Sequence, residues 1–87
     1  ERIGLFERVV AEDWFEDEVK KLARELAAKP PLALKLAKRT LAASLDSDLA
    51  AMLAAERDQQ MRCFRSADAR EGITAFNEKR KPVFRGE

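Results

Sequence analysis

Ala27-Ala28-Lys29-Pro30-Pro31-Leu32-Ala33-Leu34 is the stretch on which the fold turns. The residue before a proline is pushed out of helical backbone space, so a helix arriving from upstream has to stop ahead of Pro30. Pro31 suits the first position of a new helix, where its missing N–H has no intrahelical partner to lose. The stretch therefore reads as helix, sharp corner, helix. Upstream of it, Phe15, Val19, Leu22 and Leu26 recur at spacings of four, three and four, a single apolar stripe. Glu12, Asp13, Glu16, Asp17 and Glu18 crowd the start of that helix. The helix dipole favours negative charge there, which puts the N-terminus near Asp13.

Downstream of the corner, a second helix is expected from about Pro31 to Ser44, with Leu34, Ala37 and Leu41 on one stripe and Leu32 and Leu36 beside it. Asp46-Ser47-Asp48 offers N-cap oxygens for a third helix, about Asp48 to Phe64. Leu49, Met52, Leu53, Gln60, Cys63 and Phe64 share a broad face of that helix, interrupted by Glu56, Gln59 and Gln60. Ser66 is a cap for a fourth helix, with Asp68 in its first turn and Ile73 and Phe76 expected to point inward together. Gly72 inside this helix costs about 1 kcal/mol relative to alanine, which suggests that another backbone passes close by. The helix is expected to end before Pro82. At the other end, Ile3-Gly4-Leu5-Phe6-Glu7-Arg8-Val9-Val10 is extended in pattern. A lone strand cannot satisfy its own backbone, so it either frays or pairs with chain that lies elsewhere. The expected fold is all-α: a small bundle of about four helices with a short extended N-terminal segment.

Composition agrees. Hydrophobic residues make up 46% and charged residues 38% of the 87, with only three Gly and three Pro. That balance suits an ordered helical domain rather than a disordered or β-rich chain. There is no histidine, which removes Ser-His-Asp and Cys-His arrangements and every His-ligated metal site. The single Cys63 has no disulfide partner and reads as a small hydrophobe. Three scattered glycines make no phosphate loop. No catalytic residue and no metal ligand are assigned. No apolar run approaches the ~20 residues that span a bilayer, and a reducing cytoplasmic location is the default expectation.

The net charge of +1 names no partner, but its distribution is uneven. Residues 1–28 hold eight acids and five bases, whereas Lys29, Lys35, Lys38 and Arg39 follow with no acid before Asp46. At the far end, Lys79-Arg80-Lys81 and Arg85 lie near Phe76 and Phe84. Cations beside aromatic faces suit a nucleotide, whose phosphates take the charge while the base stacks. Basic residues also favour the last turn of any helix, so both explanations stand on pattern alone.

Three segments carry a resemblance to a known family. Gly4-Leu5-Phe6-Glu7-Arg8-Val9-Val10 is similar to the stretch that leaves the catalytic core of the enoyl-CoA hydratase/isomerase (crotonase) family, G-L-V-x-x-V-V. The corner Ala27 to Leu34, with Lys38-Arg39 after it, resembles the family's A-x-x-P-P-x-A-x-x-x-x-K segment. Ser66-Ala67-Asp68-Ala69-Arg70-Glu71-Gly72-Ile73, with Ala75-Phe76 and Glu78-Lys79-Arg80-Lys81-Pro82-Val83-Phe84, resembles the closing S-x-D-x-x-E-G-x-x-A-F-x-E-K-R-x-P-x-F.

The resemblance implies a C-terminal helical, trimerisation domain: residues 1–12 a remnant of a missing catalytic core, residues 13–87 the helical domain. It implies no cofactor beyond a CoA thioester substrate. As partners it implies the chain's own core and sister subunits in a homotrimer or hexamer, with neither nucleic acid nor membrane. Oxyanion amides and catalytic carboxylates would lie in the core, so the 87 residues by themselves are expected to be inactive. It further implies that Phe76 packs on acyl or pantetheine atoms of a neighbouring subunit's CoA and that Lys79 pairs with its phosphate. Some family members place an aromatic where Gln60 stands, and Met61 and Phe64 are the nearby substitutes. The competing expectation is a free-standing helical interaction or nucleic-acid-binding module built on helix two and the basic tail, with affinity that falls steeply with salt.

Overall fold

Four helices follow one another in the order the corner and caps dictate: α1 Glu12–Ala27, α2 Pro31–Ala43, α3 Leu49–Phe64 and α4 Ala67–Asn77. The computed structural model describes all 87 residues, Glu1–Glu87. Each boundary has a local cause. Glu12 and Asp13 occupy the first turn of α1, and α2 opens on Pro31. The Asp48 carboxylate accepts the Ala51 N–H at 2.7 Å to start α3, and Ser66 Oγ accepts the Ala69 N–H at 3.0 Å to start α4. These bonds satisfy amides that have no partner within the first turn.

Residues 1–10 form turns and bends and no strand. Gly4 has φ 77, the left-handed region, and donates its N–H to the Glu1 carbonyl at 2.9 Å. An Arg8–Glu18 ion pair at 3.2 Å ties this segment to α1, and a shallow groove between them is lined by Val10, Phe15, Val19 and Leu22. Val9 and Val10 thus keep the unpartnered character read from the sequence.

The chain is broad and thin, 43 × 40 × 18 Å, with a radius of gyration of 16.5 Å. A compact globule of this length has a radius near ~12 Å. Its accessible surface is 7835 Å², where a folded monomer of 9.9 kDa exposes about 5,200 Å². Many large apolar side chains are among the exposed residues. α2 packs on α3 and α3 on α4, but α1 packs extensively on none of them and buries no residue. Its stripe Phe15, Val19, Leu22, Leu26 stands open to solvent, as do Ile3, Leu5, Phe6 and Val9. No helix is long and apolar enough to cross a membrane.

Where helices do meet, the inward faces differ from those read in the sequence. On α2 the buried residue is Leu36, with Leu32, Ala33 and Thr40 half-buried around it, while Leu41 is exposed. On α3 the half-buried positions are Met52, Ala55, Gln59 and Cys63, and Leu49, Leu53 and Phe64 face outward. The Thr40 hydroxyl meets both the Leu36 carbonyl and the Gln59 side-chain carbonyl. Gln59, which interrupts an apolar face in sequence, is therefore a contact residue between the two helices. A polar group there is tolerated because it is hydrogen-bonded.

Candidate functional site

Only three residues are buried, Leu36 at 3%, Ala75 at 1% and Asp68 at 4% relative exposure, and two of them lie on α4. Besides α3, what covers α4 is the chain that follows it. Asp68 accepts the backbone N–H of Arg85 at 2.7 Å through Oδ1 and that of Gly86 at 2.8 Å through Oδ2. Its own N–H donates to the Glu87 carbonyl at 3.0 Å. One turn on, Glu71 accepts the Val83 N–H at 2.8 Å. Residues 80–87 thus return along α4 as a strap.

Two glycines allow the close passage. The Phe84 ring lies over Gly72, where an added Cβ would sit 3.6 Å from the ring, so the neighbour foreseen at Gly72 is a returning side chain rather than a backbone. Gly86 has φ +85 and its Cβ position lies 3.3 Å from Pro31, so the end of the strap reaches the first residue of α2. A side chain at Gly86 would be both strained and crowded.

The turn from α4 into the strap is a Schellman motif. The Arg80 N–H donates to the Ala75 carbonyl at 3.0 Å and the Lys79 N–H to the Phe76 carbonyl at 3.2 Å. The position that usually holds glycine in this motif is Lys79, with φ 54. A side chain in that backbone region costs roughly 1–2 kcal/mol. The next residue is gripped from two sides: Arg80 makes a forked pair with Glu71, 2.6 and 2.9 Å, and its Nε reaches Glu78 at 2.6 Å.

These contacts lower the Glu71 carboxyl from 4.5 to about 2. The Arg80 hydrogen bonds are the largest cause and the Val83 N–H the next, against partial burial, which raises it. Arg80 is raised in turn, first by Glu71 and then by Glu78. A depressed carboxyl contributes stability that is complete above its unfolded value and is lost as pH falls through its folded value. Acid titration by NMR is therefore expected to find the Glu71 carboxyl and the Val83 amide moving together with a midpoint near 2, and the strap weakening between pH 4.5 and 2. A midpoint at the ordinary 4.5 would contradict the pairing.

The cationic tail read in the sequence is thus not one surface. Arg80 is spent on two carboxylates, Phe84 is turned onto Gly72, and the Arg85 amide is held by Asp68. Phe76 remains, as do the side chains of Lys79, Lys81 and Arg85, none of which makes an ion pair. Phe76 is 83% exposed, not inward as its spacing with Ile73 suggests, and Ile73 is exposed as well. Lys79 has no carboxylate within ion-pair distance, although Glu78 precedes it. Gln60 is exposed, on the wall of an open groove between α2 and α3, with Met61 and Phe64 exposed nearby. Asp68 and Glu71 had no role assigned from sequence. Their spacing of three on one face, beside Gly72, was the available signal.

Fold and site together define an all-helical module that keeps an exposed aromatic, Phe76, and unpaired lysines, Lys79 and Lys81, at the exit of its last helix. A family model described as enoyl-CoA hydratase/isomerase matches residues 1–87, and the chain belongs to that family. It is 40% identical over 83 residues to the 1,2-epoxyphenylacetyl-CoA isomerase of Escherichia coli (strain K12), covering 95% of this chain and 32% of that protein. It is 39% identical over 83 residues to the crotonyl-CoA hydratase of Syntrophomonas wolfei, again covering 95% and 32%. The solved enoyl-CoA hydratase from Bacillus anthracis superposes with a TM-score of 0.92 at 32% identity, over 99% of this chain and 33% of that one. The chain thus spans about a third of the length of the curated relatives it matches. The nucleic-acid module gains no support from any of these likenesses.

Proposed function

We propose that these residues form the C-terminal helical part of an acyl-CoA-processing enzyme, supplying subunit assembly and one wall of the CoA-thioester site. Residues 13–87 are the helical domain in this reading, and residues 1–12 belong with a catalytic core. That core and sister copies, in a trimer or hexamer, are the partners that cover the open apolar stripes. The observation that carries the reading is Phe76, a large aromatic left 83% exposed, whose carbonyl takes the N–H of Lys79, a lysine without an ion-pair partner. An exposed ring and a free cation on one turn of chain suit a ligand with an apolar arm and a phosphorylated nucleotide. Phe76 packs on the acyl or pantetheine part and Lys79 meets phosphate. The chemistry itself belongs to the core, and no cofactor beyond the thioester is required. The setting proposed is cytoplasmic.

The test is kinetic. In the complete gene product, Phe76→Ala is expected to raise the KM for its acyl-CoA at least about fivefold, the loss of roughly 1 kcal/mol of ring contact. The 87-residue chain alone is expected to turn over no crotonyl-CoA. An unchanged KM in the variant, or turnover by the 87 residues, would refute the reading.

A further inference from the structure

Lys79 poses a question of its own: it is a lysine where the backbone asks for glycine. At φ 54 it sits in the left-handed region, yet its side chain makes no hydrogen bond or ion pair. Strain of this kind persists only where the surroundings over-determine it. Here they do. On the helix side, the last carbonyls of α4 take the N–H groups of Lys79 and Arg80. On the strap side, Glu71 holds the chain one residue and four residues beyond Lys79, through the Arg80 guanidinium and the Val83 amide.

The same carboxylate has a second effect. Glu71 and Glu78 are the acids nearest this turn in the strap network, and Arg80 binds both. Both Glu71 oxygens and one Glu78 oxygen are taken by Arg80, and neither acid pairs with the lysine ammonium. The turn therefore fixes the backbone from which an unpaired cation extends, three residues beyond the exposed Phe76 whose carbonyl receives the Lys79 N–H.

We propose that Glu71 is a positioning residue for CoA recognition: through Arg80 and Val83 it fixes the left-handed turn that presents Lys79, and it touches no ligand. The inference rests on the reading of Phe76 and Lys79 given above.

A double-mutant cycle in the complete gene product separates the two. CoA itself is titrated calorimetrically against the parent, Lys79→Ala, Glu71→Gln and the double variant, with helicity checked by circular dichroism. Lys79→Ala is expected to weaken CoA about tenfold, the scale of one charge-assisted contact. Glu71→Gln is expected to weaken it about threefold to tenfold with Lys79 present and less than about twofold in the alanine background, the signature of coupled residues. Arg80→Lys keeps the charge but lacks the fork, and is expected to reproduce Glu71→Gln should that variant fold poorly. Equal losses in both backgrounds would mean a merely structural role, and no loss with Lys79 present would mean no role. Either result overturns the positioning proposal alone. If Lys79→Ala leaves CoA binding unchanged, the site reading falls and takes the proposal with it.

Discussion

Asp68→Ala is expected to detach residues 84–87 from α4 and to cost about 3 kcal/mol, a large share of the stability of so small a domain. The carboxylate is 4% exposed and bonds two consecutive amides, so its removal leaves both Arg85 and Gly86 without their acceptor. Each such bond to an ionised group contributes about 1.5–3 kcal/mol, and the released amides recover part of that from water. The first-turn position adds a smaller loss, because a negative charge there complements the helix dipole. Asp68→Asn is expected to fare little better, since its amide group would set a donor against one of two donors. Urea unfolding measures the cost, and hydrogen exchange at Arg85 and Gly86 reports the release. Deleting residues 84–87 removes the same partners, so Asp68→Ala in that shortened chain is expected to cost under about 1 kcal/mol. Full additivity of the two changes, or persistent protection of both amides, would show that the strap is held by something else.

What the sequence discloses here, and what it hides, follows from the range of the forces involved. The helix boundaries rest on neighbours: acids in the first turn of α1, Pro31 at the head of α2, Asp48 and Ser66 as caps. All of these can be read locally, and all are where they were expected within a residue or two. The direction each helix faces is another matter. Ile73 and Phe76 share a face and were expected inside, but the inner face of α4 holds Asp68 and Ala75. Besides α3, the element held there is the strap, and its bonds to Asp68 join residues 17 and 18 apart. Apolar periodicity finds the greasiest face of a helix and assumes the rest of the chain will cover it. In α1 that assumption fails visibly, for the stripe is regular, no other helix covers it and the N-terminal segment only flanks it. The candidate site was half legible. Phe76 and Lys79 came from the closing motif, while Asp68 and Glu71 stood in the same motif without a role. Only the return of the chain shows what two acids one turn apart are for.

The uncovered stripe leads to the second large expected effect, a contrast between two lengths of the same protein. Leu26 is 49% exposed and closes the stripe of α1. In the 87-residue chain, Leu26→Ala removes little buried surface and exchanges one good helix former for a better one. Its cost should stay within about 0.5 kcal/mol, the usual scale for a surface change. In the complete gene product, where the proposed core and sister copies bury α1, the same substitution opens a cavity and should cost about 2–5 kcal/mol. The total accessible surface, 7835 Å² on a 9.9 kDa chain, is well beyond what a folded monomer of that mass leaves open, and large apolar side chains stand exposed on it. Denaturant unfolding of the two lengths, parent and variant, measures both numbers, and sedimentation of the complete product shows whether assembly weakens in step. A cost that is equally small in both lengths would mean that α1 stays open in the working protein, and the assembly role would have to be given up. A large cost in the 87-residue chain alone would mean that its helices close on one another and need no partner to do so.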